Sequence, residues 1–142
     1  LLTVARQLTH RHARAYPSRN SSSLNTIQPS FFVGFTFSWV TLISSRFFMP
    51  KLLMMDEPRE GYSAFLRQLV SLMRFLAPHL KRGQLSEAIR LLYVGTERVL
   101  LVLLHSFPDF LAQAAPALVD TLPPQAVHLK NLIVRPSLHS LS

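Results

Sequence analysis

The side chains with the chemistry to hold a metal or move a proton are six histidines, His10, His12, His79, His105, His128 and His139, together with seven acids. Zinc-binding histidines come at short fixed spacings on one helix face and are joined by a carboxylate or thiolate. These six fall in no such spacing, so no metal site and no cofactor are expected. His10 and His12 read as solvated, and His105 reads as a cation or donor at a helix C-terminus, where the helix dipole favours it, not as a general base. The clustered acids Asp56, Glu57 and Glu60 sit at a turn, an ordinary place for solvated charge, and no hydrolytic carboxylate pair is visible. Serine nucleophiles stand on a strained Gly-x-Ser-x-Gly elbow, which is absent. Gly34, Gly61, Gly83 and Gly95 are each isolated, too scattered to cradle a phosphate. The absence of cysteine excludes disulfides, thiolate zinc sites, iron–sulfur clusters and cysteine nucleophiles, and permits a reducing compartment. No catalytic residue, and so no enzyme and no small-molecule substrate, is expected.

The chain has 142 residues, 49% hydrophobic and 15% charged. That is the length of one domain or a piece of a larger one, and the composition is too apolar for a disordered protein. The formal charge of +8 is unevenly spread. Residues 1–55 carry Arg6, Arg11, Arg14, Arg19, Arg46 and Lys51 and no acid, whereas residues 56–142 hold nine basic and seven acidic groups. The helical part is thus nearly neutral, and direct nucleic-acid binding by a uniform basic face is not expected. Residues 1–30, rich in Arg and Ser, read as a disordered segment outside the main domain, with the composition of a linker, a transit peptide or misassigned coding sequence. A first residue that is Leu1, not Met, suggests a start inside a longer reading frame.

Five helices must position whatever the chain does. The first is expected from near Thr36 to Met54, bent or split at Pro50. The second, Tyr62 to Lys81, carries Phe65, Leu66, Leu69, Val70, Leu72, Met73, Phe75, Leu76 and Leu80 at three- and four-residue intervals, with Gly83 just past its end. A third runs from Leu85 or Ser86 to about His105, capped by Ser86, and its solid run Val99 to Leu104 reads as a helix apolar all round and therefore central. Pro108 ends it and opens a fourth, Asp109 to Leu122, divided at Pro116. Pro123-Pro124 starts a fifth, Gln125 to Val134. No alternating run reads as a strand. The class is all-α, and long helices at a regular interval suggest stacked antiparallel pairs of the solenoid kind, with no residue-level repeat.

Phe31 to Ser45 carries no charge, yet it is short of the roughly 20 apolar residues of a spanning helix and is diluted by Gly34, Thr36, Ser38, Thr41, Ser44 and Ser45. A buried helix of a water-soluble domain is the better reading. Phe31, Phe32, Phe35, Phe37, Trp39, Phe47 and Phe48 are accordingly expected in a core or under a partner, not stacked on bases.

Several strings then fit one pattern: Gly34-Phe35-Thr36-Phe37-Ser38-Trp39, Leu42 through Leu53, Phe75-Leu76-Ala77-Pro78-His79-Leu80, and above all Tyr93-Val94-Gly95-Thr96-Glu97-Arg98-Val99-Leu100-Leu101-Val102-Leu103-Leu104-His105-Ser106-Phe107-Pro108-Asp109-Phe110-Leu111. With Pro123-Pro124 and Leu129-Lys130-Asn131-Leu132-Ile133, they closely resemble the C-terminal domain of the Not-one scaffold subunit of the Ccr-Not deadenylase complex, over about residues 33–134. Ser45 stands where the family usually has His, and Ser106 where it usually has an acid. The resemblance implies an all-helical, HEAT-like, non-catalytic platform that docks other Not-type subunits, while tails of messenger RNA are shortened by nucleases bound elsewhere. It gives no individual partner-contact residue. Under this reading residues 31–135 are a partial domain, 1–30 lie outside it and 136–142 form a divergent tail, so the domain is expected to be truncated.

The leading expectation is a scaffold fragment that binds proteins through exposed apolar grooves, supports messenger-RNA deadenylation, decay and translational repression, and resides in the cytoplasm and also the nucleus. The alternative is a small membrane-associated helical protein anchored by residues 31–45. A third reading, RNA binding through Arg6 to Arg19, predicts strong salt dependence.

Overall fold

A computed structural model describes residues 23–29, 34, 36–45, 48–54 and 58–139. Among these residues the protein is all-α, with no strand. A helical turn at 23–26 precedes six helices: α1 Thr36–Ile43, α2 Met49–Leu53, α3 Pro58–Arg82, α4 Glu87–Ser106, α5 Pro108–Thr121 and α6 Val127–His139. Residues 1–72 and 73–142 form two compact units, the division falling within α3.

In the first unit the buried residues include Leu24, Trp39, Val40, Ile43, Phe48, Met49, Leu52, Leu53, Phe65, Leu69 and Leu72. Trp39 is fully buried, and its indole Nε1–H donates to the Leu24 carbonyl at 2.9 Å. The bond satisfies a buried donor and ties the turn at 23–26 to α1. Trp39 and Phe48 thus belong to the core, as the composition suggested, whereas Phe37 is half exposed. Phe31, Phe32, Phe35 and Phe47 lie outside the described residues.

One continuous first helix, bent at Pro50, is not what forms. The break comes earlier, after Ile43. Ser44 donates its hydroxyl to the Val40 carbonyl at 2.7 Å and Thr41 to that of Phe37 at 2.9 Å, bonds that leave the ladder in place, and α1 closes where the Ser45 N–H turns to the Leu42 carbonyl, three residues back, at 3.2 Å. The Ser45 carbonyl then accepts from the backbone N–H groups of Phe48 and Met49, each at 3.0 Å, and starts α2. Pro50 falls in the first turn of α2, where a missing N–H costs no helical hydrogen bond. An anchor over 31–45 finds no support in this arrangement: α1 spans 8 residues, buries Trp39, Val40 and Ile43, and no described helix is long and apolar enough to cross a membrane.

Helix α3 begins one turn before Tyr62, at Pro58, a residue suited to a first helical position. Glu60 in its first turn and His79, Lys81 and Arg82 in its last complement the helix dipole. Gly83 follows with φ 70°, the left-handed conformation that ends a helix cheaply only for glycine.

In the second unit α5 and α6 pack most extensively, and α4 lies against both. Its buried residues are Met73 and Leu76 of α3, Leu92, Val99, Leu100 and Leu103 of α4, Phe110, Leu111, Ala114, Ala115 and Leu118 of α5, then Leu122, Ala126, Leu129, Leu132 and Ile133. Ser86 caps α4 by accepting the Ile89 N–H at 3.3 Å, and Pro108 opens α5 directly after Phe107. Pro116 does not divide α5, contrary to expectation. It sits on the exposed side, so the Ala112 carbonyl it orphans is not sealed in the core, while Phe110, Leu111, Ala114, Ala115 and Leu118 hold the opposite face. The last helix starts at Val127, after a turn over 124–125, and runs through Pro136 to His139 instead of stopping at Val134. A proline that close to the end removes a single ladder bond, and the buried Leu132 and Ile133 hold the turn before it.

Two substitutions check this account. Leu103→Ala, at a fully buried position facing the α5–α6 side, is expected to cost about 2–5 kcal/mol in denaturant unfolding. Trp39→Phe removes the bond to Leu24 together with part of the buried indole volume, and is expected to cost about 2 kcal/mol or more when unfolding is followed by circular dichroism. Unchanged stability in either variant contradicts the packing described.

Candidate docking surface

Among the described residues His79, His105 and His128 stand on three different helices. His79 packs against Phe75 one turn earlier, with ring centroids 5.5 Å apart and tilted by 53°. His105 is exposed in the last turn of α4, and His128 stands at the start of α6. His10 and His12, with the side chain of His139, lie outside the described residues, as do Asp56 and Glu57. Among the described residues no three His, Cys, Asp or Glu side chains are grouped so as to hold a metal ion. Gly34, Gly83 and Gly95 each face open space, so none of them is kept small by close contact.

One polar contact joins two helices of the second unit. His128 Nε2 lies 2.8 Å from Glu97 Oε1, linking the first turn of α6 to the middle of α4. With side chains 60% and 30% exposed, the pair is a surface link, worth about 0–1 kcal/mol. Tyr93, one turn before Glu97, has its hydroxyl pKa raised above 10.0, first by burial and then by the Glu97 carboxylate, since both disfavour the phenolate.

Helix α4 also carries the feature that the sequence pattern did not resolve. Its inner face is Leu92, Thr96, Val99, Leu100 and Leu103, all buried, with the Thr96 hydroxyl donating to the Leu92 carbonyl at 2.9 Å. The helix was expected to be covered all round, yet Leu91 is 59% exposed, Val94 38%, Leu101 43% and Val102 47%. Steps of three and four residues join Leu91, Val94, Arg98, Leu101 and Val102, so they share one stripe, opposite the inner face. The run Val99 to Leu104 thus contains two apolar faces, and α5 and α6 cover one of them. Arg98 stands in the middle of the stripe and Arg90 at its edge. Neither makes an ion pair among the described residues. Two acids flank the stripe on this helix, Glu87 in the first turn and Glu97, three residues after Val94 and four before Leu101.

A contiguous apolar stripe centred on a cation and rimmed by polar groups suits protein association, not catalysis. The periodicity of Leu91, Val94, Leu101 and Val102 was legible; what it could not tell is which of the two faces neighbouring helices would cover.

Comparisons with known proteins agree with a scaffold reading. The sequence profile of the family described as CCR4-Not complex component, Not1 matches residues 3–138, a span that includes most of the Arg-rich start. The chain is 38% identical over 114 residues to the CCR4-NOT transcription complex subunit let-711 of Caenorhabditis elegans, covering 76% of this chain and 4% of that protein. It is 34% identical over 114 residues to general negative regulator of transcription subunit 1 of Saccharomyces cerevisiae, covering 80% of this chain and 5% of that protein. The chain therefore spans a small fraction of the curated relatives it matches. Its fold superposes on the NOT1 superfamily homology domain from Chaetomium thermophilum with a TM-score of 0.81 at 23% identity, over 94% of this chain and 27% of that one. A solved Not1 C-terminal domain in complex with Not4 is 31% identical, with a TM-score of 0.71, over 83% of this chain and 22% of that one.

The Tyr93 environment has a consequence for pH dependence. Its hydroxyl keeps its proton to higher pH in the folded chain than in the unfolded one, so stability is retained below pH 10.0 and falls as pH rises past it, where only the unfolded state ionises. Thermal unfolding between pH 9 and 11 is expected to show Tm falling more for the wild type than for Tyr93→Phe. Parallel profiles contradict the assignment.

Proposed function

Since the chain belongs to the Not1 family of CCR4-Not complex components, we propose that it acts as a docking segment of that scaffold, binding other Not-type subunits through apolar helical faces. The family is a non-catalytic one, and the chain matches its C-terminal domain. The observation that carries the docking reading is the likeness, at 31% identity, to a Not1 C-terminal domain solved in complex with Not4. The exposed stripe on α4 supports it: a chain whose work is association leaves apolar surface for a partner, and here that surface lies opposite the helix's buried face.

In this reading the segment within residues 31–135 holds Not-type subunits near the nucleases of the complex, and so supports deadenylation, messenger-RNA decay and translational repression. The chain itself neither cuts RNA nor grips it directly. It takes no cofactor and no small-molecule substrate, and it works in the cytoplasm and also the nucleus, as a subunit joined to its complex by protein contacts and not by a membrane.

Co-expression of the tagged chain with Not4, followed by size-exclusion chromatography, tests the reading. Co-elution is expected, and the purified chain is expected to leave a polyadenylated RNA full length in a nuclease assay. Separate elution of the two proteins, or tail shortening by the chain alone, contradicts it.

A further inference from the structure

Four methionines and no cysteine make the thioether the only form of sulfur in the chain. A two-electron oxidant such as a peroxide therefore meets no thiolate, and the methionine side chains are left to take it up. Which of them reacts is decided by access. Met49 is 3% exposed and Met73 not at all, whereas Met54 is 73% exposed; Met55 lies outside the described residues. Methionine is usually kept inside a protein, where its flexible thioether fills gaps between other side chains. Backbone geometry explains the exception at Met54. The residue caps the C-terminus of α2 with φ −106° and ψ 19°, and its N–H donates to the Pro50 carbonyl at 2.9 Å. That bond fixes it at the end of a helix whose buried side chains are Met49, Leu52 and Leu53, and its own thioether stays in solvent.

We propose that Met54 is a site of reversible oxidation, taking one oxygen atom from hydrogen peroxide. A sulfur lone pair attacks one peroxide oxygen and the O–O bond breaks. The sulfur gives up two electrons, and the proton of the transferred oxygen leaves with the departing hydroxide as water. The product is methionine sulfoxide, polar and chiral, from which methionine sulfoxide reductases, drawing two electrons from a pair of thiols, remove the oxygen as water. On the surface the added oxygen is hydrated and the fold is kept. At Met49 or Met73 the same oxygen would stand as an acceptor inside an apolar core, where it is costly. Oxidation thus turns one apolar point on the first unit polar, while the stripe on α4, which holds no sulfur, is unaltered.

The test exposes the 142-residue chain to hydrogen peroxide under native conditions and reads sulfoxide by mass spectrometry after trypsin. Cleavage after Arg46, Lys51, Arg59, Arg67 and Arg74 puts Met49, Met54 and Met73 in three separate peptides, and fragmentation tells Met54 from Met55. Met54 is expected to oxidise about tenfold faster, or more, than Met49 and Met73, and the difference to collapse in denaturant. The Tm of the chain carrying sulfoxide at Met54 is expected to match that of the untreated chain. Incubation with the two epimer-specific reductases is expected to restore the original mass of the peptide. Oxidation of Met54 as slow as that of Met49 and Met73 overturns the proposal, as does fast oxidation confined to Met55 or a rate difference that persists in denaturant. A Tm that falls as Met54 is oxidised, or a sulfoxide that the reductases leave in place, overturns it too.

Discussion

The second unit depends on one constraint: α4 must bury its inner apolar face, and α5 and α6 are the elements that cover it. Leu100 and Leu103 have no solvent exposure, and Leu92 and Val99 have almost none. Burial of this kind, about 1.5–3 kcal/mol for each large side chain, outweighs the cost of the prolines that interrupt α5 and α6. It also sets where function can sit. A helix apolar on two opposite faces can satisfy one within its own unit and leaves the other for something else.

The helix boundaries show how much of this was legible in the sequence. Ser86, Gly83 and Pro108 act through the backbone alone, a cap, a left-handed terminus and a first-turn proline, and each lies where local chemistry put it. The misjudged positions are those where tertiary packing decides. Pro116 and Pro136 look like breaks, but a lost ladder bond on a solvent-facing or terminal turn is tolerated when the other side of the helix is locked into a core. At the other end of the chain the break attributed to Pro50 comes earlier, where the Ser45 N–H turns to the Leu42 carbonyl three residues back and closes α1. Periodicity likewise marks both faces of α4 without saying which one neighbours cover. The family strings around Tyr93 to Leu111 were the more specific signal, because their order and spacing persist over a long stretch.

Among the described residues, exposed apolar surface stands out and no cluster of metal-binding side chains does. His128 with Glu97 is a solvent-facing link between α6 and α4, and His79, His105 and His128 stand on three different helices. The family to which the chain belongs is a non-catalytic component of the CCR4-Not complex, and the feature that stands out among the described residues is the exposed apolar stripe of α4.

The most direct measurement is affinity purification of the tagged endogenous locus, followed by mass spectrometry of whatever comes with it. The account predicts recovery of other Not-type subunits together with the deadenylase nucleases. Recovery of the polypeptide with no CCR4-Not component contradicts the docking role and leaves the family relation as ancestry alone.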